Sequence, residues 1–356
     1  MTTELMEEGL LTNLPEDIKR EILRRLPIRS IARCKCVCKS WGQFATLYSP
    51  KPGLAFANED TGFTACDEAF QPLCQSWSPL LHGDKGRHVI GSVDGLILVC
   101  AGYHFTCEIL YICNPITREY IKLPPLPSTY VYNYVYGFGV SKLSGQYKII
   151  FSDHRLCLVY TLGQRGYYWR CISAAPGNPS MRRDTAAFLN GNLHWLASDS
   201  DENVFIYCLD LETELFTRYS TSSGDYGSLE YDTYIVTRYH LCVLEGRLCL
   251  SKYISPHGIV IWRMENYGNE NSWIKEYTLN NFCNLYGHFY PLVSLNDDLI
   301  FASIGRYDRH LLVYSRNTKP PVKNRRFPYS CLYSNVVIYT PSLISLETMG
   351  ITMFKS

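Results

Sequence analysis

The chain has 356 residues, and its 34 Lys plus Arg against 33 Asp plus Glu leave a formal net charge of +1 at pH 7. A balance this close to zero argues against binding to nucleic acid or to an anionic membrane through bulk charge. No apolar run reaches the roughly twenty residues of a membrane-spanning helix, and the acidic N-terminus lacks the basic region of a secretory signal. We therefore expect a cytoplasmic or nuclear protein, or one present in both compartments, with no membrane or nucleic-acid partner.

The fifteen cysteines do not indicate a disulfide framework, because their number is odd, the chain is large and no C-x-x-C pair occurs. Cys34, Cys36 and Cys38 have alternate spacing, which on a helix sends the side chains to different sides. We expect buried thiols, no metal site and no cofactor.

Residues 11–41 predict a compact helical unit. Leu14, Ile18, Ile22, Leu23 and Leu26 recur at three- and four-residue steps, so they share one face of a first helix that ends before Pro27. A second short amphipathic segment follows in residues 28–35, and a third carries the apolar residues up to position 44. A bundle of about forty residues normally cannot bury enough apolar surface to be stable alone. Part of this surface is therefore expected to face another protein.

The order of residues in this unit closely resembles an F-box. The matching elements are Leu14-Pro15-x-Asp17-Ile18, then Ile22-Leu23-x-x-Leu26-Pro27-Ile28-Arg29-Ser30-Ile31, and finally Val37-Cys38-Lys39-x-Trp41. The resemblance implies three helices that dock on a Skp-type adaptor, which in turn holds a cullin and a RING protein in an SCF ubiquitin ligase. The adaptor contacts it implies are Leu14, Pro15, Ile18, Ile22, Leu23, Leu26, Pro27, Ile28, Ile31, Val37, Cys38 and Trp41, of which Ile22, Leu23 and Trp41 are shared with the bundle interior.

From residue 51 onward, short strand-like runs rich in Val, Ile, Tyr, Phe and Trp alternate with turns of Gly, Asn and Asp. Five segments read as tight hairpins, marked by Gly95, Gly145, Gly191, Gly246 and Asp297 at steps of 50, 46, 55 and 51 residues. A further strand follows each hairpin. Four short antiparallel strands in about fifty residues are typical of a kelch-like propeller blade.

Residues 54–90 and the strand 334–339 could supply one more blade, so we expect about six blades, with seven as the alternative. Joining both ends of the chain in one blade would remove exposed sheet edges. A β-sandwich is the rival fold, which the regular spacing disfavours. The fold class is thus an α+β multidomain protein: a flexible N-terminus at 1–9, an F-box at 10–50 and an all-β propeller at 51–356.

The second part also resembles a family, the F-box-associated region of a large group of plant F-box proteins. The resemblance is carried by Asp94-Gly95-Leu96, Asn114-Pro115-x-Thr117-Arg118-Glu119, Leu123-Pro124-Pro125-Leu126-Pro127, Gly137-Phe138-Gly139 and Leu193-His194-Trp195. The kelch doublet of adjacent glycines is absent. The resemblance implies a propeller that recognises a protein target for ubiquitination and proteasomal degradation.

No catalytic motif is present: H-E-x-x-H, G-x-x-x-x-G-K-[ST] and G-x-S-x-G are all missing. His194, next to Trp195 in a strand, is interpreted as a packed or hydrogen-bonded residue rather than a base. We expect a non-catalytic receptor subunit. The alternatives are an interaction scaffold that uses the helices for another partner, and a propeller enzyme with a small-molecule site.

The sequence gives less information about target recognition than about adaptor binding. Tyr130, Tyr132, Tyr134 and Tyr136 alternate, so they would share one face of a strand. They form either a recognition surface or, as the preferred interpretation, a strand packed between neighbouring blades. Tyr226, Tyr286 and His288 are further candidates for target contact, because they lie in predicted loops.

Overall fold

The computed structural model describes residues 14–26, 28–34, 42–43, 50–58, 62–77, 87–101, 109–126, 134–152, 156–164, 168–172, 180–181, 186–199, 203–221, 237–254, 258–280, 288–295, 298–304, 310–315, 322–326, 336–349 and 354–355. The predicted flexible N-terminus at 1–9 lies outside these residues. None of the described helices is long and apolar enough to cross a membrane.

Two short helices precede the sheets. Helix α1 spans Glu16–Arg25, with Glu16 and Asp17 in its first turn and Arg24 and Arg25 in its last, which complements the helix dipole. It ends where Leu26 turns to an extended conformation. Helix α2 spans Ile28–Cys34. The described part of the predicted third helix is limited to residues 42–43.

All other regular structure is β, apart from 3₁₀ turns at Glu270–Ser272 and Glu347–Met349. The strands are β1 (Gly53–Asn58), β2 (Gly62–Cys66), β3 (Pro72–Trp77), β4 (Arg87–Val93), β5 (Leu96–Ala101), β6 (Ile109–Asn114), β7 (Glu119–Lys122), β8 (Val135–Val140), β9 (Tyr147–Ser152), β10 (Cys157–Thr161), β11 (Arg170–Ile172), β12 (Ser180–Met181), β13 (Ala187–Leu189), β14 (Asn192–Ser198), β15 (Val204–Asp210), β16 (Phe216–Ser220), β17 (Thr237–Leu244), β18 (Arg247–Ile254), β19 (Gly258–Met264), β20 (Trp273–Asn280), β21 (His288–Leu295), β22 (Asp298–Ile304), β23 (His310–Ser315), β24 (Val322–Arg326), β25 (Val337–Tyr339) and β26 (Phe354–Lys355).

Over the described ranges these strands form six antiparallel sheets. Four sheets have four strands, β25-β1-β2-β3, β11-β10-β9-β8, β17-β18-β19-β20 and β21-β22-β23-β24. The other two have five: β26-β7-β6-β5-β4, and β12-β14-β15-β16 with β13 added to β14. The sheets follow one another around a ring, because β25 contacts both β4 and β21, and β4–β8, β8–β13, β13–β17 and β17–β21 are also in contact. Numbered around this ring, the first sheet contains β25 and β1, the second β4, the third β8, the fourth β13, the fifth β17 and the sixth β21. The fold is an all-β propeller behind a helical N-terminal unit, not a sandwich.

The ring closes as the sequence predicted, through a strand from the end of the chain. Strand β25 pairs with β1, bringing Ile338 opposite Leu54. The prediction had assigned residues 54–90 to one blade, whereas β4 begins the next sheet. The pairing of β26 with β7 was not predicted; it places Phe354 opposite Tyr120.

The predicted tight hairpins at Gly95, Gly191 and Gly246 are confirmed, whereas the connection at Gly145 is a longer loop of residues 141–146 between β8 and β9. Asn190 and Gly191 have φ of 54° and 80°, and Glu245 and Gly246 have 51° and 71°. Two successive positive φ values define the tight turn that follows the twist of the strands. Asn296 and Asp297 of the fifth hairpin lie outside the described residues.

Because successive strands of each sheet run in opposite directions, the connections between strands fall on two opposite faces of the ring. The connections between first and second strands, and between third and fourth, lie on one face, named here the turn face. The remaining connections, including those from one sheet to the next, lie on the opposite face. The chain enters β1 from the turn face and leaves β25 on it, so the helical unit and residues 340–349 both start from that face.

Most of the core lies between neighbouring sheets. One cluster joins Leu98 and Ile112 to Phe138 and Phe151 of the following sheet, and another joins Val159 to Leu193 and Leu209. Of the described cysteines, Cys66, Cys113, Cys157, Cys208, Cys242 and Cys249 carry buried free thiols, and Cys171 carries an exposed one. Cys100 is disulfide-bonded, contrary to the expectation of thiols throughout.

Candidate functional site

The first helix exposes an apolar surface. Ile18 is 45% exposed and Ile22 is 36% exposed, and their four-residue spacing puts both on one face of α1. Pro15 is also exposed, and Leu14 and Leu26 are half-buried. We name these five residues the α1 ridge. Large exposed isoleucines on one face of a short helix are typical of a surface that another protein covers.

The charged residues of α1 lie beside this ridge and pair among themselves. Arg20 lies 3.5 Å from Glu16 and Arg25 lies 2.8 Å from Glu21, both as solvent-exposed pairs one turn apart. Exposed pairs of this kind contribute little stability. They keep the ridge flanked by solvated charge.

Three of the predicted adaptor contacts are interior residues. Leu23 and Ile31 are fully buried and Ile28 is 3% exposed. Leu23 was expected to be shared with the interior. For Ile28 and Ile31 the structure differs from the prediction, because their side chains are already covered within this chain and offer no surface to a partner. Pro27, Val37, Cys38 and Trp41 have no described side chains, so their predicted contacts lie outside the described residues.

Some of the candidates for target contact also lie outside the described residues, and two others are packed. Tyr130, Tyr132, Tyr226 and Tyr286 lie outside the described residues, and only the backbone of His288 is described, in β21. Tyr134 and Tyr136 are packed, with ring centroids 5.7 and 5.4 Å from that of Phe151. Tyr136 is 8% exposed, and burial raises the pKa of its hydroxyl. These two tyrosines therefore belong to the core between sheets, as the preferred interpretation held, and not to a recognition surface.

The Asn-Pro-x-Thr-Arg-Glu motif holds the C-terminal segment. The fully buried side chain of Asn114 donates to the carbonyls of Ser342 and Ile344 at 3.2 and 2.8 Å, while its oxygen accepts the N–H of Ile116. Glu119 accepts from the hydroxyl of Ser345 at 3.0 Å and from a backbone N–H at 2.7 Å. We name residues 340–349 the strap. The motif fixes the strap across the turn face.

Two other motifs join the sheet that contains β8 to the sheet that contains β14. The indole N–H of Trp195 donates to the carbonyl of Tyr136 at 3.1 Å. A Cβ on Gly137 would come within 2.7 Å of Leu193 and Trp195. The Gly-Phe-Gly and Leu-His-Trp motifs are thus two sides of one close contact between β8 and β14.

An ion network also joins these two sheets, and sequence reasoning missed it. The carboxylate of Glu214 accepts from the Lys148 ammonium at 2.8 Å and from the Arg170 guanidinium at 2.6 and 2.8 Å. Burial alone would raise the pKa of Glu214, but the hydrogen bonds from Arg170 and Lys148 outweigh that effect and lower it. The sequence feature that could have indicated this network is Lys148, a lysine inside the apolar strand Tyr147–Ser152.

His194 is placed as a structural residue. Its Nδ1 lies 3.0 Å from the carbonyl of Ala187 and its Nε2 lies 3.0 Å from the Tyr267 hydroxyl. The carbonyl requires a donor, so Nδ1 carries the proton and Nε2 accepts from Tyr267. Burial lowers the pKa of His194 to about 4. Within the part of the chain that the structure describes, no group of three or more His, Cys, Asp or Glu side chains is placed to hold a metal ion.

The comparisons with known proteins agree with this architecture. An F-box domain matches residues 11–51, and an F-box associated beta propeller domain matches residues 66–319, which is more than half of the chain. The chain therefore belongs to the F-box proteins that carry an F-box-associated β-propeller.

Relatives from Arabidopsis thaliana match most of this chain. F-box protein At3g07870 is 28% identical over 326 residues, covering 77% of this chain and 74% of that protein. F-box protein At5g49610 is 26% identical over 342 residues, covering 86% and 89%. A solved structure of the SapL1 lectin in complex with alpha methyl fucoside aligns with a TM-score of 0.46 and 10% identity, over 79% of this chain and 98% of that one. A likeness this distant supports no conclusion about function.

Proposed function

We propose that this chain is the substrate-receptor subunit of an SCF-type ubiquitin ligase. The observation that carries the proposal is the exposed apolar pair Ile18 and Ile22 on a helix inside the F-box match. A Skp-type adaptor would cover the α1 ridge, and through the adaptor the chain would join a cullin and a RING protein.

The mechanism we propose is proximity. The chain supplies no acid, base or nucleophile to the transfer; it raises the effective concentration of a target lysine near the charged conjugating enzyme. The six sheets then act as six blades of a rigid frame. The motif residues Asn114, Glu119 and Trp195 serve that frame, since their hydrogen bonds join strap to sheet and sheet to sheet.

We propose that the target binds on the opposite face. The helical unit and the strap both start from the turn face and occupy part of it, while the connections of the opposite face lie away from them. In the sequence, Tyr130, Tyr132, Tyr226 and Tyr286 fall between the last strand of one sheet and the first strand of the next. Their role in target contact remains a proposal, as does that of His288 at the start of β21.

Two further assignments belong to the proposal. The boundary between the two units falls at residues 50 and 51, just before β1 begins at Gly53. Because ubiquitin ligases of this type act inside the cell, we place the protein in the cytoplasm, the nucleus or both.

Reconstitution tests the proposal. The purified full chain is mixed with a Skp-type adaptor, a cullin and a RING protein, and the assembly is analysed by size-exclusion chromatography. The proposal predicts co-elution of all four proteins. Co-elution with the adaptor but without the cullin would instead support an interaction scaffold, and failure to bind the adaptor would refute the receptor role.

A further inference from the structure

The second helix has one face buried against the propeller. Ile28 and Ala32 are four residues apart, so they share that face. Ile28 belongs to the same apolar cluster as Tyr339 of β25 and Ile116 after β6. Ala32, Val337 and Leu343 are partly buried against this cluster. Helix α2 therefore packs where the first two sheets of the ring meet the strap.

We propose that this contact is a joint that fixes the orientation of the F-box relative to the propeller. The α2 joint consists of Ile28 and Ala32 on the helix and of Val337, Tyr339 and Leu343 on the propeller side. Ile28 and Leu343 are then positioning residues: they determine where a bound target is held relative to the adaptor. That consequence rests on the proposed function, but the joint itself does not.

The two described helices have different roles. The α1 ridge keeps Ile18 and Ile22 exposed, whereas α2 buries Ile28 to 3% exposure inside this chain. One helix thus offers apolar surface to a partner while the next attaches the unit to its own propeller. Without the α2 contact, the two units would be joined through the chain that leads from the F-box into β1, and units joined in that way are expected to move relative to each other.

The strap makes the joint firm. It provides Leu343 to the joint and Leu346, which is fully buried, to the core between the second and third sheets. Asn114 and Glu119 hold its backbone through hydrogen bonds on both sides of Leu343. A strap fixed at several points cannot follow a moving helix, so the helix must keep one position against it.

Single-molecule energy transfer on the full chain tests this joint. Donor and acceptor dyes are attached through non-canonical amino acids at Arg24, exposed on α1, and Lys275, exposed on β20. The joint predicts one narrow distribution of transfer efficiency for the otherwise unchanged chain. Leu343→Asp leaves the F-box sequence intact and should broaden the distribution at least about twofold, because a charge placed in a partly buried apolar contact is unfavourable.

Three further variants make the test specific. Leu343→Met conserves the apolar volume and should restore the narrow distribution. Leu215→Asp makes the same chemical change at a leucine of the turn face that is 64% exposed, and should leave the distribution unchanged. Ile28→Asp breaks the joint from the helix side and should broaden the distribution as Leu343→Asp does.

The affinity of Leu343→Asp for the adaptor should stay within about threefold of the unchanged chain, since the α1 ridge is untouched. A broad distribution in the unchanged chain, or a narrow one that persists in both Leu343→Asp and Ile28→Asp, would overturn the joint. The measurement uses neither adaptor nor ubiquitin. A failed ligase reconstitution therefore refutes the receptor role without affecting the joint, and a failed joint leaves the receptor role standing.

Discussion

The carboxylate of Glu119 accepts the backbone N–H of Leu346 at 2.7 Å, joining two residues that are 227 positions apart in the chain. Glu119 is 6% exposed and Leu346 is fully buried. A single acidic residue of the second sheet thus holds the strap at the point where its leucine enters the core. The strap in turn contributes to the contact with helix α2.

Replacing this carboxylate should loosen the strap. Glu119→Ala removes the acceptor for the Leu346 N–H and leaves that buried donor unpaired, which costs about 1–3 kcal/mol. We expect a corresponding fall in the free energy of unfolding by urea denaturation, and faster amide exchange in residues 342–349. Glu68→Ala, at a half-buried acidic residue in the turn after β2, is the control. Its pair with Lys51 at 3.7 Å contributes little, so the free energy of unfolding should change by less than about 1 kcal/mol and amide exchange in residues 342–349 should not change.

The close approach of β8 and β14 predicts a difference between two glycines. In Gly137→Ala the new methyl group would meet Leu193 and Trp195 at 2.7 Å, whereas in Gly91→Ala its nearest neighbour is Phe138 at 3.6 Å. The first change should destabilise the chain by about 1–3 kcal/mol through overpacking, and the second should lie within about 0.5 kcal/mol of the unchanged protein. Equal effects in urea denaturation would show that the two sheets are not packed this closely.

His194 should make stability depend on pH. Burial lowers its pKa from 6.5 to about 4 in the folded chain. As pH falls from 6.5 towards 4, the unfolded chain takes up a proton that folded His194 does not, so the folded state loses about 1.4 kcal/mol per pH unit at most.

His194→Asn keeps a donor for the Ala187 carbonyl and does not titrate. Its free energy of unfolding should therefore fall less steeply than that of the unchanged chain over the same pH window. Parallel slopes in denaturation at pH 7, 6 and 5 would contradict a neutral, buried His194.

The local features of this fold were accessible from the sequence. The turn at Asn190-Gly191 was predictable because its residue types tolerate the positive φ that both adopt. The exposure of Ile18 followed from the excess of apolar residues over what a small bundle buries, whereas Ile22, predicted to be shared with the bundle interior, is 36% exposed. The alternation of Tyr134 and Tyr136 indicated a strand, and β8 begins between them at Val135, so only Tyr136 lies in it. The packing of both rings on Phe151 decided between the two interpretations.

The long-range features were not accessible, because periodicity carries no information about distant contacts. Nothing near Lys148 indicates that Glu214, on another sheet, neutralises it. Likewise, the spacing of Ile28 fits an outward-facing F-box residue as well as one that packs against Tyr339 near the other end of the chain. The family motifs were recognised, but their role in holding the strap and joining sheets became clear only from the hydrogen bonds of Asn114, Glu119 and Trp195.

The affinity of the full chain for a Skp-type adaptor, measured by isothermal titration calorimetry, tests the central claim most directly. Ile18→Asp combined with Ile22→Asp places two charges on the α1 ridge, while Arg24→Ser changes a residue of α1 outside the ridge. Two central contacts of an interface are worth about 2 kcal/mol each or more, so we predict at least about 100-fold weaker binding for the double variant and an unchanged affinity for Arg24→Ser. Equal affinities for the unchanged chain and the double variant, with helical content preserved, would contradict the claim that the α1 ridge is the adaptor-binding surface.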